Sequence, residues 1–392
     1  MGKYDFDKMI DRRNTDSEKW SVSDNELPMW VADMDFEVVP EVKEALIKRI
    51  GQGVYGYPSI PKEWAGSYRK WWEERHHVRI DESWLIFGLG VNFINSSIIK
   101  RFTAPGEGVV VLSPVYVGFY HIIRGDDREV IESRLIYDKA QGTWEIDFDD
   151  LKEKLSGDNA KLMLVCNPHN PVGRILSREE LEKIAGLCNE RGIVMISDEI
   201  HCDITDPGTE YVSALSLDEE LRKNLIVAIS PTKAFNLAGI QTAAAVVPDL
   251  KLRKKVYRSL SADEINVPNI LSADAAVAAF TCGGDWLLEF NEYVYENKKT
   301  ALAYIEKNIP GVRVTRSDST YLLWLDCGEY GIRAGELSER LRKEAGLFLN
   351  SGETFGSGGE YFLRMNIACP RERLLDGLSR LEKGLSSIKE RA

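Results

Sequence analysis

Lys233 follows directly on an apolar run, in the segment ISPTKAFNLAGIQTAAAV. A lysine at a strand end among apolar neighbours is partly desolvated, which lowers its pKa and makes it a usable amine nucleophile. Taken alone, the segment fits an exposed loop lysine equally well. Two other polar residues end apolar runs in the same way: Asn170, in NPHNPVG after Leu162 to Cys166, and Asp198, after Ile193 to Ser197. Asn170 and Asp198 are 28 residues apart, and Asp198 and Lys233 are 35 apart. If the three runs are parallel strands, an amide, a carboxylate and an amine converge along one sheet edge. That edge is where open α/β folds bind their ligands.

The elements that must position these residues are visible in the pattern. From about residue 84 to 250, short apolar runs alternate with amphipathic stretches, the mark of βα units. In the clearest unit, Ser177 and Glu180 form an S-x-x-E capping box, Leu181, Ile184, Ala185 and Cys188 recur at helical spacing, and Gly192 sits just past the end. After about residue 285 the pattern changes. A long helical stretch (285–308) is followed by strands near 312–314 and 320–326, and helix-like segments flank the run 361–368. This predicts a large α/β domain over 45–285 and a smaller α+β domain over 286–392, joined by residues 1–44.

Composition narrows the function classes. The 392 residues are 44% hydrophobic and 29% charged, with a net charge of −12. That balance argues against a general nucleic-acid or anionic-membrane surface, while leaving room for a local phosphate pocket. No window approaches the roughly 20 apolar residues of a membrane span. The first 20 residues are too charged for a secretory signal. The six cysteines are scattered, with no CxxC pair, which points to reduced thiols and a cytoplasmic protein.

In this order, NPHNPVG, SDEIH and SPTKAFNLAG resemble the fold-type I pyridoxal 5′-phosphate (PLP) enzymes of the class I/II aminotransferase superfamily, and the resemblance runs from PMWVADMDF to RMNIACPRERL. It implies an aspartate-aminotransferase-like fold: a three-layer α/β/α large domain with a mostly parallel sheet, plus a small α+β domain. It also implies roles. Lys233 would bind the cofactor covalently. Asp198 would face the ring nitrogen, stabilising its protonated form, and Asn170 would reach the ring's 3′-oxygen. Most relatives carry a tyrosine three residues after the aspartate; here His201 stands there and can donate the same bond. Tyr116 would stack on the ring. Gly90, Val91 and Asn92, in FGLGVNFINSSI, would cradle the phosphate at a helix N-terminus, with the Ser230 hydroxyl added. Gln241 occupies the position where many relatives place a phosphate-pairing arginine, so the phosphate has less cationic compensation. Tyr57, in YGYP, matches a tyrosine that reaches the other subunit's cofactor and so implies a homodimer; as residue type alone it fits a turn aromatic equally well. Arg364 would grip the substrate α-carboxylate in bidentate fashion. Trp30, Ala32 and Asp33 would lie near the substrate mouth, with the Ala32 backbone touching the carboxylate.

The strings PMWVADMDF, SDEIHCD and TYLLWLD, with the phosphate-site glutamine, resemble the MalY/PatB subgroup of cystathionine β-lyases. That implies a carbon–sulfur β-lyase converting cystathionine or a related cysteine S-conjugate to a thiol, pyruvate and ammonia, with Lys233 also the general base and no metal. A true aminotransferase shares every residue named. A non-catalytic PLP-binding regulator keeps the fold, but the retained lysine, aspartate, asparagine and arginine argue for catalysis. A metal at His201, Cys202 and Asp203 is disfavoured because consecutive strand residues point to opposite faces. One at His76-His77 is disfavoured because adjacent histidines on a charged helix diverge into solvent.

Overall fold

The computed structural model describes residues 2–390. The apolar runs noted above form the strands Ala160–Cys166, Val194–Asp198 and Leu225–Ile229. They are adjacent and parallel in a seven-stranded sheet. Across the sheet the order is Leu85–Gly88, Ala243–Val246, Leu225–Ile229, Val194–Asp198, Ala160–Cys166, Gly108–Ser113 and Glu129–Arg134. Only Ala243–Val246 runs antiparallel to its neighbours. Alternate residues of a strand face opposite sides, and the packing follows that alternation. Val109, Val111, Leu162, Leu164, Ile196 and Ile226 pack on one face with the helices Val91–Phe102, Val117–Gly125 and Leu250–Ala262. Val110, Met163, Val165, Met195 and Val227 pack on the other with Phe148–Ser156 and Arg178–Glu190. A sheet covered on both faces needs near-continuous apolar strands, which is why these runs do not alternate in polarity.

The capping box forms as the sequence predicts. The Ser177 hydroxyl accepts from the Glu180 N–H, the Glu180 carboxylate accepts from the Ser177 N–H, and the helix runs Arg178–Glu190. Gly192 follows at φ +64°, a conformation that favours glycine. The long helical stretch is Gly284–Asn308, and a four-stranded antiparallel sheet orders Arg313–Val314, Leu322–Asp326, Phe362–Asn366 and Asn350–Ser351. Residue 285, where the sequence pattern changes, lies at the start of this helix. Leu27–Pro28 pairs in parallel with Leu347–Phe348, fixing the N-terminal arm to the C-terminal part of the chain.

PMWVADMDF has a physical meaning that only the fold discloses. Asp35 is 1% exposed and is met by Lys19 at 3.0 Å, Arg12 at 3.0 Å, Arg373 at 3.0 Å and the Trp20 indole at 2.9 Å. Asp33 pairs with Arg12 at 2.8 Å and Lys19 at 3.4 Å. Burial alone would raise the Asp35 pKa, but the charges of Lys19 and Arg373 and the Trp20 hydrogen bond outweigh it and hold the carboxyl below its usual range. The folded state thus binds fewer protons at this site than the unfolded chain. The associated stability is complete above the ordinary carboxylate pKa, near 4, and is lost as pH falls through the folded value. Asp35→Asn is expected to destabilise the chain by about 3–5 kcal/mol, because Arg373 remains buried without its counter-charge and Lys19 keeps only Asp33, at 3.4 Å. Urea unfolding at pH 7 measures this, and the gap between wild type and variant should narrow toward pH 3.

Candidate active site

Because the three central strands are parallel and adjacent, Asn170, Asp198 and Lys233 leave the sheet on one edge. All three line one pocket, together with Ala32, Gly90, Val91, Asn92, Tyr116, His201, Thr232 and Gln241. The N-terminus of the helix Val91–Phe102 opens onto it with Gly90 at the cap position and no side-chain cap, leaving its first-turn N–H groups to an anion. Tyr116 occupies the position before the helix Val117–Gly125 without a side-chain capping bond, and its hydroxyl accepts from Asn92 Nδ2 at 3.1 Å. A Cβ at position 118 would overlap the Tyr116 ring, so glycine there lets the ring lie against its own helix.

Asp198 is 3% exposed. Its Oδ1 accepts from the Ile200 N–H and its Oδ2 from Asn95 Nδ2, both at 3.2 Å. Burial pushes its pKa up to about 7 against those two bonds; the Glu199 charge adds to the rise and Lys233 opposes it. Lys233 Nζ donates to the Ala32 carbonyl at 2.5 Å, and the Tyr321 hydroxyl donates to the same oxygen at 3.1 Å. Burial, then the positive charge of Arg364, lower the Lys233 pKa to about 8, with Asp33, Asp198 and Glu18 opposing. His201 is buried, and that burial, followed by the charges of Lys233 and Arg364, lowers its pKa to about 3. The imidazole is therefore neutral at any physiological pH, and its Nδ1 has no partner. Arg364, 4% exposed, donates to Asn170 Oδ1 at 3.0 Å, Asn350 Oδ1 at 2.8 Å and the Trp30 carbonyl at 2.8 Å, while its Nε is unpartnered.

Of the residues expected within the chain's own pocket, Ser230 and Arg364 are not among those lining it. The Ser230 hydroxyl lies behind the pocket wall, bonded to the Thr242 carbonyl and Thr232 Oγ1, each at 2.7 Å; Thr232 lines the pocket in its place. Tyr57 is fully exposed and outside its own chain's pocket. His76 is also unlike its expectation. It is buried with Nε2 2.9 Å from Asp203 Oδ1, while His77 ends the helix Glu63–His76 in a left-handed conformation and is exposed. The residues 200–203 form a turn, so the strand argument against a metal there does not apply. His76, Cys202 and Asp203 do cluster, but the Asp203 oxygen facing His76 already meets Trp71 Nε1 at 2.9 Å and the Arg75 guanidinium at 3.2 Å. This cluster ties the turn carrying His201 to the helix beneath it.

Asn95, Thr232, Tyr321 and Asn350 belong to the site and escape a reading of motifs. Asn95 alone left a trace in the sequence. It is an amide on a helix face otherwise built from Val91, Ile94, Ile98 and Ile99.

The model of the family described as aminotransferase class I and II matches residues 26–381. The chain is 36% identical over 387 residues to the cystathionine beta-lyase PatB of Bacillus subtilis (strain 168), covering 97% of this chain and all of that protein. It is 30% identical to Protein MalY of Escherichia coli (strain K12), covering 98% of this chain and all of that one. The crystal structure of cystalysin from Treponema denticola, which contains pyridoxal 5′-phosphate, superposes with a TM-score of 0.94 at 32% identity, over 98% of this chain and 99% of that one.

Proposed function

The chain belongs to the class I and II aminotransferase family and has the aspartate-aminotransferase fold, and from that premise we propose that it is a PLP-dependent carbon–sulfur β-lyase acting on cystathionine or a related cysteine S-conjugate. The observation that carries this is a buried carboxylate and a desolvated lysine lining one pocket, with an arginine held by two asparagines, one of which, Asn170, lines the same pocket. The overall likeness to PatB, named a cystathionine beta-lyase, selects the reaction within the family.

The residues fit the cofactor on their own chemistry. Asp198 would offer a buried carboxylate to a protonated ring nitrogen, Asn170 and His201, which line the same pocket, would meet a ring oxygen, and the open helix end at Gly90 would take a phosphate. When bound, PLP supplies an electron sink for the electron pair left at the substrate Cα. Arg364 holds the α-carboxylate and so fixes which Cα bond breaks. The Lys233 amine removes the Cα proton, and the thiolate then departs from Cβ. Tyr116 shields the site from water, and the neutral His201 adds a hydrogen bond without a competing charge. Hydrolysis of the remaining fragment gives pyruvate and ammonia. Ammonia released from L-cystathionine with no keto-acid acceptor present supports elimination; transfer of the amino group to an added keto acid, without pyruvate, contradicts it.

Covalent capture of the cofactor aldehyde needs the neutral amine, and the Lys233 pKa of about 8 sets when it is available. Capture by the cofactor-free chain is expected to accelerate from pH 6.5 and level off above 8.5, as absorbance stopped-flow would record. A rate still climbing above pH 10 contradicts a desolvated lysine.

The same reading makes the enzyme a cytoplasmic homodimer. All six cysteines are unpaired, and among the described residues no helix is long and apolar enough to cross a membrane. Tyr57 is exposed, as are the apolar side chains Ile47, Val54 and Tyr55 close to it in sequence, and such side chains suit a contact with a second copy of the chain. Sedimentation is expected to give a dimer, and Tyr57→Phe to weaken PLP binding about 10-fold through one lost phosphate hydrogen bond; a fully active monomer contradicts this.

A further inference from the structure

We propose that Asn95 is a positioning residue for Asp198, holding the carboxylate ionised and oriented toward the ring nitrogen of the cofactor. This rests on the cofactor reading of the site but not on the lyase reaction. Asn95 is completely buried on the helix Val91–Phe102, among isoleucines that pack on the central sheet. An apolar side chain would fill that place without the cost of burying an amide. Its Nδ2 lies 3.2 Å from Asp198 Oδ2, and its Oδ1 has no partner at all. The residue thus carries an unsatisfied acceptor in order to present one donor, and the donor meets the carboxylate.

The balance at Asp198 is close enough for one bond to matter. The second bond to the carboxylate comes from the Ile200 N–H. Of the charged and titratable groups around it, Lys233 favours ionisation and Glu199 opposes it. The Cys166 thiol and the Tyr116 hydroxyl feel its charge from the neighbouring strand end and helix cap, and His201 is neutral. A hydrogen bond to a buried charge is worth enough to move such an equilibrium by about one pH unit. The helix that presents its N-terminus to the phosphate therefore also sets, one turn further on, the charge state at the far end of the ring.

The test is Asn95→Leu, close in volume and matched to the surrounding isoleucines. PLP affinity of the full chain is measured from pH 5 to 9, with the 15N shift of a ring-labelled cofactor as a direct report of ring-nitrogen protonation. The variant is expected to melt no lower than wild type and to bind PLP about 10-fold more weakly at pH 7. Its pH midpoint for binding should rise by about one unit, and its 15N signal should move toward the unprotonated value. A folded variant with unchanged affinity, midpoint and 15N shift overturns the proposal. Should the variant not fold, the Asn95 side-chain amide protons of the wild-type chain are followed by selective labelling. A shift titrating with PLP binding supports the role, and constant positions overturn it. Because neither readout depends on turnover, an enzyme that proves to be an aminotransferase leaves the proposal standing. A chain that takes up no PLP removes both the proposal and the cofactor reading.

Discussion

Lys233→Ala is expected to lower pyruvate formation by at least about 10⁴-fold while leaving the fold intact, since the side chain serves both as covalent anchor and as base. The amine is placed for both. It follows the strand Leu225–Ile229, its Nζ rests on the Ala32 carbonyl, and burial brings its pKa down to about 8, within reach of proton transfer at neutral pH. Truncation removes the amine, and the nearby cation whose charge it feels, Arg364, is committed to Asn170 and Asn350. No neighbouring lysine lines this pocket to replace it. Borohydride reduction followed by peptide mass spectrometry should find the cofactor attached at Lys233 in the wild type and nowhere in the variant. Attachment at another lysine, with retained activity, would contradict the assignment.

The second large effect is expected at Arg364. Arg364→Ala should reduce kcat/KM by about 10²–10³-fold, the range for removing one partner of a buried charged contact. Two losses combine. The substrate carboxylate has no counter-charge, and Asn170 and Asn350 each lose the donor that holds their Oδ1. Arg364→Lys should recover little, because an ammonium cannot span the two asparagines, the Trp30 carbonyl and a planar carboxylate together. Steady-state kinetics with KM and kcat resolved would measure this; a lysine variant within threefold of wild type would show that charge alone suffices.

Some of this was legible in the sequence because the physics is local. Ser177 and Glu180 cap a helix through bonds spanning three residues, and the structure contains both. Continuous apolar runs ending in Asn170, Asp198 and Lys233 required a covered parallel sheet, and the strands are adjacent and parallel. What escaped depends on contacts distant in sequence. The meaning of PMWVADMDF lies in Asp35 meeting Arg373, more than three hundred residues away. Ser230 and Thr232 carry similar hydroxyls two residues apart, and only the bond from Ser230 to the Thr242 carbonyl decides which one lines the pocket. The burial of His76 has a local signal in the sequence. His76 stands four residues after Trp72 on the helix face that also carries Trp64 and Tyr68, all buried, whereas the high overall charge of that helix suggests solvent.

The reaction proposed for this site is elimination of a thiol from Cβ rather than exchange of an amino group. The most direct measurement mixes PLP-loaded enzyme with L-cystathionine and follows pyruvate and free thiol in parallel, with Lys233→Ala as control. The two products are expected in equal amounts from the first turnover, and neither from the variant. Absence of both, with the bound cofactor instead converted to its pyridoxamine form by amino acids, would contradict it.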